Sequence, residues 1–116
     1  MTVVFLAAAV VSQAALPRTD VPRLGFFAGV VQQCTLGTQR DSFDARVRGM
    51  AGEEQRQFGP DAAFDFAAAY GHGIASAAVL TSSDLPVLGH DFFGTARKTF
   101  DEGATRLEAR RKPQYA

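Results

Sequence analysis

A small all-α bundle of about four helices is the fold this chain predicts, and three observations predict it. Apolar residues recur at helical spacing in four segments, approximately 23–35, 42–58, 60–81 and 88–111. The connections between them are short and punctuated by Gly, Pro or Ser, as in bundles of antiparallel neighbours. Phe dominates the aromatics, with ten residues against two Tyr and no Trp, and an alanine-rich third segment offers a flat surface to such rings.

Before the first helix, residues 1–14 read as a signal peptide. The apolar run Val3 to Val11 is too short to cross a bilayer, and Ser12-Gln13-Ala14 places small residues where a signal peptidase reads, so cleavage after Ala14 is expected. No Lys or Arg precedes the run; the amino terminus is its only positive charge. Residues 15–22 follow as an extended lead-in, with Pro17 and Pro22 disfavouring helix before each of them. A single helical domain over 23–112 and a tail at 113–116 complete the expected organisation.

The first helix is drawn by Leu24, Phe27, Val31 and Cys34, with Phe26 and Val30 on an adjacent face and Gly37 as terminator. A strand over 25–31 is the alternative, since a short apolar run has no decisive period. A polar turn, Thr38 to Asp41, leads to Ser42 as cap of the second helix. The second ridge is Phe43, Val47, Met50, Ala51 and Phe58, supported by an Asp44–Arg48 pair, with Gly49 and Gly52 allowing a kink. The third helix starts at Pro60 and carries an arc of Ala63, Ala67, Tyr70, Ile74, Ala77 and Ala78. Its small-residue row Ala63, Ala67, Gly71, Ala75 is expected to receive a neighbouring helix, so that Gly71→Leu would overpack.

A connector over 81–89 precedes the last helix, with Pro86 in a first turn of a longer helix as the alternative; Phe93, Ala96, Phe100, Gly103 and Leu107 form a narrow seam. Pairs Arg97–Asp101, Lys98–Glu102 and Glu102–Arg106 are expected on its outer face. Phe26, Phe43, Phe58, Phe66, Phe93 and Phe100 are the rings expected to fill the core.

Composition removes several function classes. At 116 residues, 47% hydrophobic and 21% charged, the chain is one ordinary globular domain. Twelve basic residues balance twelve acidic ones, leaving no global field to recruit nucleic acid. Arg outnumbers Lys, Ala and Gly are abundant and Asn is missing, a codon bias of high-GC bacterial genomes. The lone Cys34 has no partner for a disulfide or metal motif and reads as a small apolar residue at a helix end.

The third helix also carries a polar stripe, Asp61, Asp65, His72 and Ser76. Asp65, His72 and Ser76 are the ingredients of nucleophilic or metal chemistry, but seven residues separate Asp65 from His72, about 10 Å along a helix. His72 lacks a second ligand at i±3 or i±4, so the stripe reads as solvated surface. His90 is read as a loop residue, beside Asp91 as cap of the last helix. Residues 97–112 hold six basic and three acidic side chains, a basic helix end that also reads as solvated.

The expected function is therefore binding: an exported, periplasmic or secreted bacterial protein acting as accessory subunit, inhibitor or ligand-binding module, leaning away from enzymatic activity. No cofactor or metal is expected. The partner is an unknown protein or small ligand and not nucleic acid, no membrane span remains once the signal is cleaved, and the Gly/Leu seam allows homo-oligomers. The alternative is a small hydrolase or metal-dependent enzyme using His72 and His90, with Asp65 and Ser76 as further candidates.

Overall fold

The computed structural model describes residues 15–35, 37–82 and 86–110, and for 80–82 and 86–91 the backbone alone. The expected signal segment and tail lie outside the described residues. Four helices form a compact bundle: α1 (Val21–Cys34), α2 (Gly37–Phe58), α3 (Pro60–Ser82) and α4 (Pro86–Glu108). The lead-in is extended at Pro17, but Arg18–Asp20 form a 3-10 turn that runs into α1, with Pro22 in the first helical turn. Proline is tolerated there because its missing N–H would have had no intrahelical partner.

Residues 25–31 are helix, and α1 is covered on most sides, with Val21, Leu24, Gly25, Ala28, Gly29, Val30 and Val31 all buried. Thr35 ends it in extended conformation, so Gly37 does not terminate α1 and instead begins α2. Residues 38–41, expected as a turn, are helical. Arg40 shows why: its guanidinium reaches back to the carbonyl oxygens of Thr35 at 3.0 Å and Gln33 at 3.2 Å, satisfying acceptors at the negative end of α1. Ser42 is thus an interior residue, not a cap. α2 runs unbroken through Gly49 and Gly52 and stops at Gly59, whose φ of 104° reverses the chain into α3.

The central contact joins α1 and α3. A β-carbon on Gly25 would stand 2.5 Å from the Phe66 carbonyl oxygen. One on Gly29 would collide with the Tyr70 carbonyl oxygen, and one on Gly73 with that of Phe26. The register, Gly25 at Phe66 and Ala69 and Gly29 at Tyr70 to Ile74, makes the two helices parallel. α4 lies mainly against α1 and α2 mainly against α3, so the diagonal pair of the bundle is its closest one.

This contact corrects the expected row on α3. Ala67, Gly71 and Ala75 are exposed, and a β-carbon on Gly71 would meet open space. The inward row is Ala62, Phe66, Gly73 and Ala77, with Ala69 against Gly25. The face is rotated by one residue, roughly 100°. The expected arc survives in part: Tyr70 and Ile74 turn toward α2, while Ala78 is exposed.

The core proper holds Leu16, Val21, Leu24, Ala28, Val31, Val47, Met50, Ala62, Phe66, Phe100, Ala104 and Leu107. Val30, Ala77 and Ala96 form a second cluster, bordered by Phe26, Phe27, Phe92 and Phe93. Of the six expected rings, Phe66 and Phe100 are fully buried and the other four half-buried. Phe43 meets Phe100 with ring centroids 5.3 Å apart, joining α2 to α4. The α4 seam is as expected at Ala96, Phe100 and Leu107. The helix begins earlier, at Pro86, which puts His90 and Asp91 inside it and removes Asp91 as a cap.

Arg97 and Asp101 pair at 3.7 Å, whereas Lys98 and Glu102 do not pair among the described residues. The stronger surface tie is Arg46, which grips both oxygens of Glu108 at 2.9 and 2.8 Å and lies over the Phe100 ring.

Gly73→Ala is expected to lower stability by about 1–3 kcal/mol through forced separation of α1 and α3. Gly71→Ala is expected to raise it by about 0.5–1 kcal/mol, because an exposed helical glycine gains nothing from its freedom. Urea unfolding measures both, and the opposite order of the two would refute the assigned α1–α3 face.

Candidate functional site

The candidate residues on the polar stripe of α3 are engaged by different neighbours. Asp65 accepts a 2.7 Å hydrogen bond from Arg18 and so ties the lead-in to α3. His72 is exposed and lies against the Phe26 ring, centroids 5.5 Å apart. Ser76 is half-buried one turn further on. The backbone at His90 belongs to α4, and its side chain lies outside the described residues. Among the described residues no three His, Cys, Asp or Glu side chains converge to hold a metal ion. Cys34 ends α1 as expected but is exposed rather than apolar filling. Partial burial of its thiol raises the pKa, with Arg97 pulling the other way, which disfavours the reactive thiolate. The basic end of α4 is partly used: Arg106 donates to the Ala15 carbonyl at 3.0 Å, and the Arg110 carbonyl accepts from Arg56.

What the fold assembles instead is a pocket of about 300 Å³ on the flank where α2 meets α3. That volume stands at the lower end of the usual range for small-molecule sites, roughly 300–1,000 Å³. Val47, Ala51, Phe66, Ala67 and Ile74 make its apolar surface, and Gln32, Asp44, Arg48 and Tyr70 supply the polar groups. A second crevice, where Leu16, Asp20 and Arg23 face Glu102, Gly103 and Arg106, holds only about 80 Å³.

The pocket follows from local geometry. Asp44, Val47, Arg48 and Ala51 fall at i, i+3, i+4 and i+7 of α2, one helical face. Phe66, Ala67, Tyr70 and Ile74, at i, i+1, i+4 and i+8, fall within one arc of about 100° on α3. The helices meet at the floor, where Phe66 is fully buried, and the alanines leave room above it. Tyr70 bridges the two helices, its hydroxyl donating to Asp44 Oδ1 at 2.6 Å. Asp44 is therefore not paired with Arg48, contrary to the expected i,i+4 pair. Burial raises the Tyr70 pKa, and the bond to Asp44 and its negative charge raise it further, with Arg48 in partial opposition. The phenol stays protonated and remains a donor.

Sequence reasoning missed one residue of consequence. Glu54 sits on the inward face of α2 one turn beyond Met50, is fully buried, and has no hydrogen-bond partner for either carboxylate oxygen among the described residues. The signal was present: the ridge 43, 47, 50, 58 has its vacant helical step at 54, filled by an acid. Burial pushes the Glu54 carboxyl up to about 7, with the Arg18 charge as a smaller opposing influence. Below pH 4.5 the group is protonated in folded and unfolded chains alike, and its contribution to folding is intact. As pH rises toward 7 the unfolded chain ionises first, so stability falls. The loss saturates above pH 7 at ~3 kcal/mol, from ~1.4 kcal/mol per unit.

No protein family, curated protein or solved structure matches the chain. The reading of the site therefore rests on its own chemistry.

Chemical denaturation between pH 4 and 8 is expected to show that loss in the native chain. Glu54→Gln, which cannot ionise, should lose this step and be the more stable protein at pH 8. A wild-type profile as flat as that of the variant would mean that Glu54 is hydrated or paired in solution.

Proposed function

We propose that the protein is a small exported binding protein, not an enzyme, and that it holds a small ligand in the pocket between α2 and α3. The single observation that carries this reading is the pocket itself: an apolar floor rimmed by a few converging polar groups, one of them held in place by the Tyr70–Asp44 bond. Such a site binds by burying an apolar body and orients it with few directional contacts. The signal-like segment 1–14 supports export to the periplasm of a bacterium. Leu16, two residues after the expected cleavage point, is buried in the core and could anchor the new amino terminus. Among the described residues no helix is long and apolar enough to cross a membrane.

Ala67 is exposed at the pocket wall, and the chain has no Trp, so Ala67→Trp both obstructs the pocket and reports on it by fluorescence. Compounds from a mixed small-molecule set that shift the amide signals of Val47, Ala51 and Tyr70 should lose their effect in that variant. A set that leaves those signals unmoved in the native chain would refute the pocket as the working site. Export is tested by intact mass from the native host: a chain beginning at Ala15 is expected, and retention of Met1 would refute cleavage.

A second reading, docking on another protein as an accessory subunit, is favoured by the outward face of α3. Phe64 is 72% exposed and Val79 67%, large values for apolar side chains. Phe64→Arg leaves ligand binding unchanged under the first reading and abolishes binding under the second.

A further inference from the structure

The pocket holds both signs of charge on one helix face, and neither neutralises the other. Asp44 and Arg48 stand one turn apart on α2, line the same cavity, and make no ion pair with each other. Asp44 keeps Oδ1 for Tyr70, and its other oxygen has no partner among the described residues. Arg48 is exposed at the rim and likewise makes no hydrogen bond or ion pair among them. Adjacent i,i+4 charges of opposite sign ordinarily meet; here Tyr70 holds the carboxylate away.

A ligand with one charge would satisfy one of these groups and bring a like charge close to the other. A neutral ligand would cover both while satisfying neither, at the cost of their hydration. A ligand with an ammonium and a carboxylate on one carbon satisfies both at once. The remaining surface is apolar: Val47, Ala51, Phe66, Ala67 and Ile74. It suits a branched aliphatic or aromatic substituent and provides no partner for a polar one.

We propose that this pocket recognises an apolar α-amino acid, its ammonium on the free oxygen of Asp44, its carboxylate on the Arg48 guanidinium, and its side chain on the floor. The assignment rests on the ligand-binding reading above and supplies its chemical class. Gln32, whose carboxamide oxygen already accepts from Gln33 at 2.8 Å, lines the same cavity, and its N–H groups are a further donor for the carboxylate in this proposal. Tyr70, which also lines the cavity, acts as a positioning residue by setting the Asp44 carboxylate.

The test is a titration of the mature chain followed by amide NMR, with leucine as probe and its two halves as controls: 4-methylpentanoate, which lacks the ammonium, and 3-methylbutylamine, which lacks the carboxylate. Leucine should shift Asp44, Val47, Arg48 and Tyr70, and each half should bind at least tenfold more weakly. Arg48→Gln, at an exposed position, and Asp44→Asn, which keeps an acceptor for the Tyr70 hydroxyl, should each weaken leucine at least tenfold with the spectrum otherwise native. Either half binding as tightly as leucine, or both variants binding like the native chain, overturns the assignment. Leucine leaving the pocket unmoved while a neutral apolar compound fills it overturns the assignment and leaves the ligand-binding reading standing. Silence from every probe removes both.

Discussion

Backbone-to-backbone contact between α1 and α3 is the constraint from which the rest of the bundle follows. Gly25 and Gly29 face the carbonyl oxygens of Phe66 and Tyr70, and Gly73 faces that of Phe26. Helix pairs in close backbone contact commonly gain weak Cα–H···O hydrogen bonds, each worth about 0.5–1 kcal/mol. The larger effect is geometric. A diagonal pair that touches leaves no space for a central core column, so the large side chains are displaced to the two sides. Met50, Phe66 and Val47 fill the side under α2, while Phe100, Ala104 and Leu107 come from α4. The pocket is a consequence, because α2 rests on the Phe66 flank of α3 and the small residues Ala51 and Ala67 stand above it.

Two polar arrangements accompany this frame, with opposite energetics. The lead-in is tied down by exposed or half-exposed bonds, Arg18 to Asp65 and Arg106 to Ala15, and by burial of Leu16. The ion pair, with both side chains some 40% exposed, adds little energy, so Leu16 is the stronger anchor. Glu54 is the reverse case, a carboxyl fully enclosed by the core with no hydrogen-bond partner among the described residues. Its protonated form is the one compatible with that place. The same chain thus combines a solvated ion pair that neither helps nor harms greatly with a buried acid that makes stability depend on pH.

The helices themselves were legible because apolar periodicity and the Gly and Pro punctuation act locally. Four segments, their order and the α4 seam could be read from spacing alone, and the boundaries moved by a few residues at most places. The start of α2 moved furthest, since Arg40 reaching back to α1 is a tertiary bond that no local signal records. The candidate site fared differently. Asp65, His72 and Ser76 could be located on one stripe, yet their actual neighbours, Arg18 and Phe26, come from the lead-in and α1. Asp44 was assigned to Arg48 by sequence proximity, and Tyr70, 26 positions away, took it instead.

By itself the sequence determined the fold class, the number of helices and the absence of charge bias, all properties set by composition and short-range spacing. Which face of α3 turns inward was decided only in the tertiary structure. That helix is alanine, glycine or another apolar residue around most of its circumference, so no single stripe stands out by hydrophobicity. Steric fit decided the face: Gly73 is set against Phe26 and Gly29, where no β-carbon separates the backbones. The same choice brought Tyr70 to Asp44 and created a cavity that neither helix carries alone.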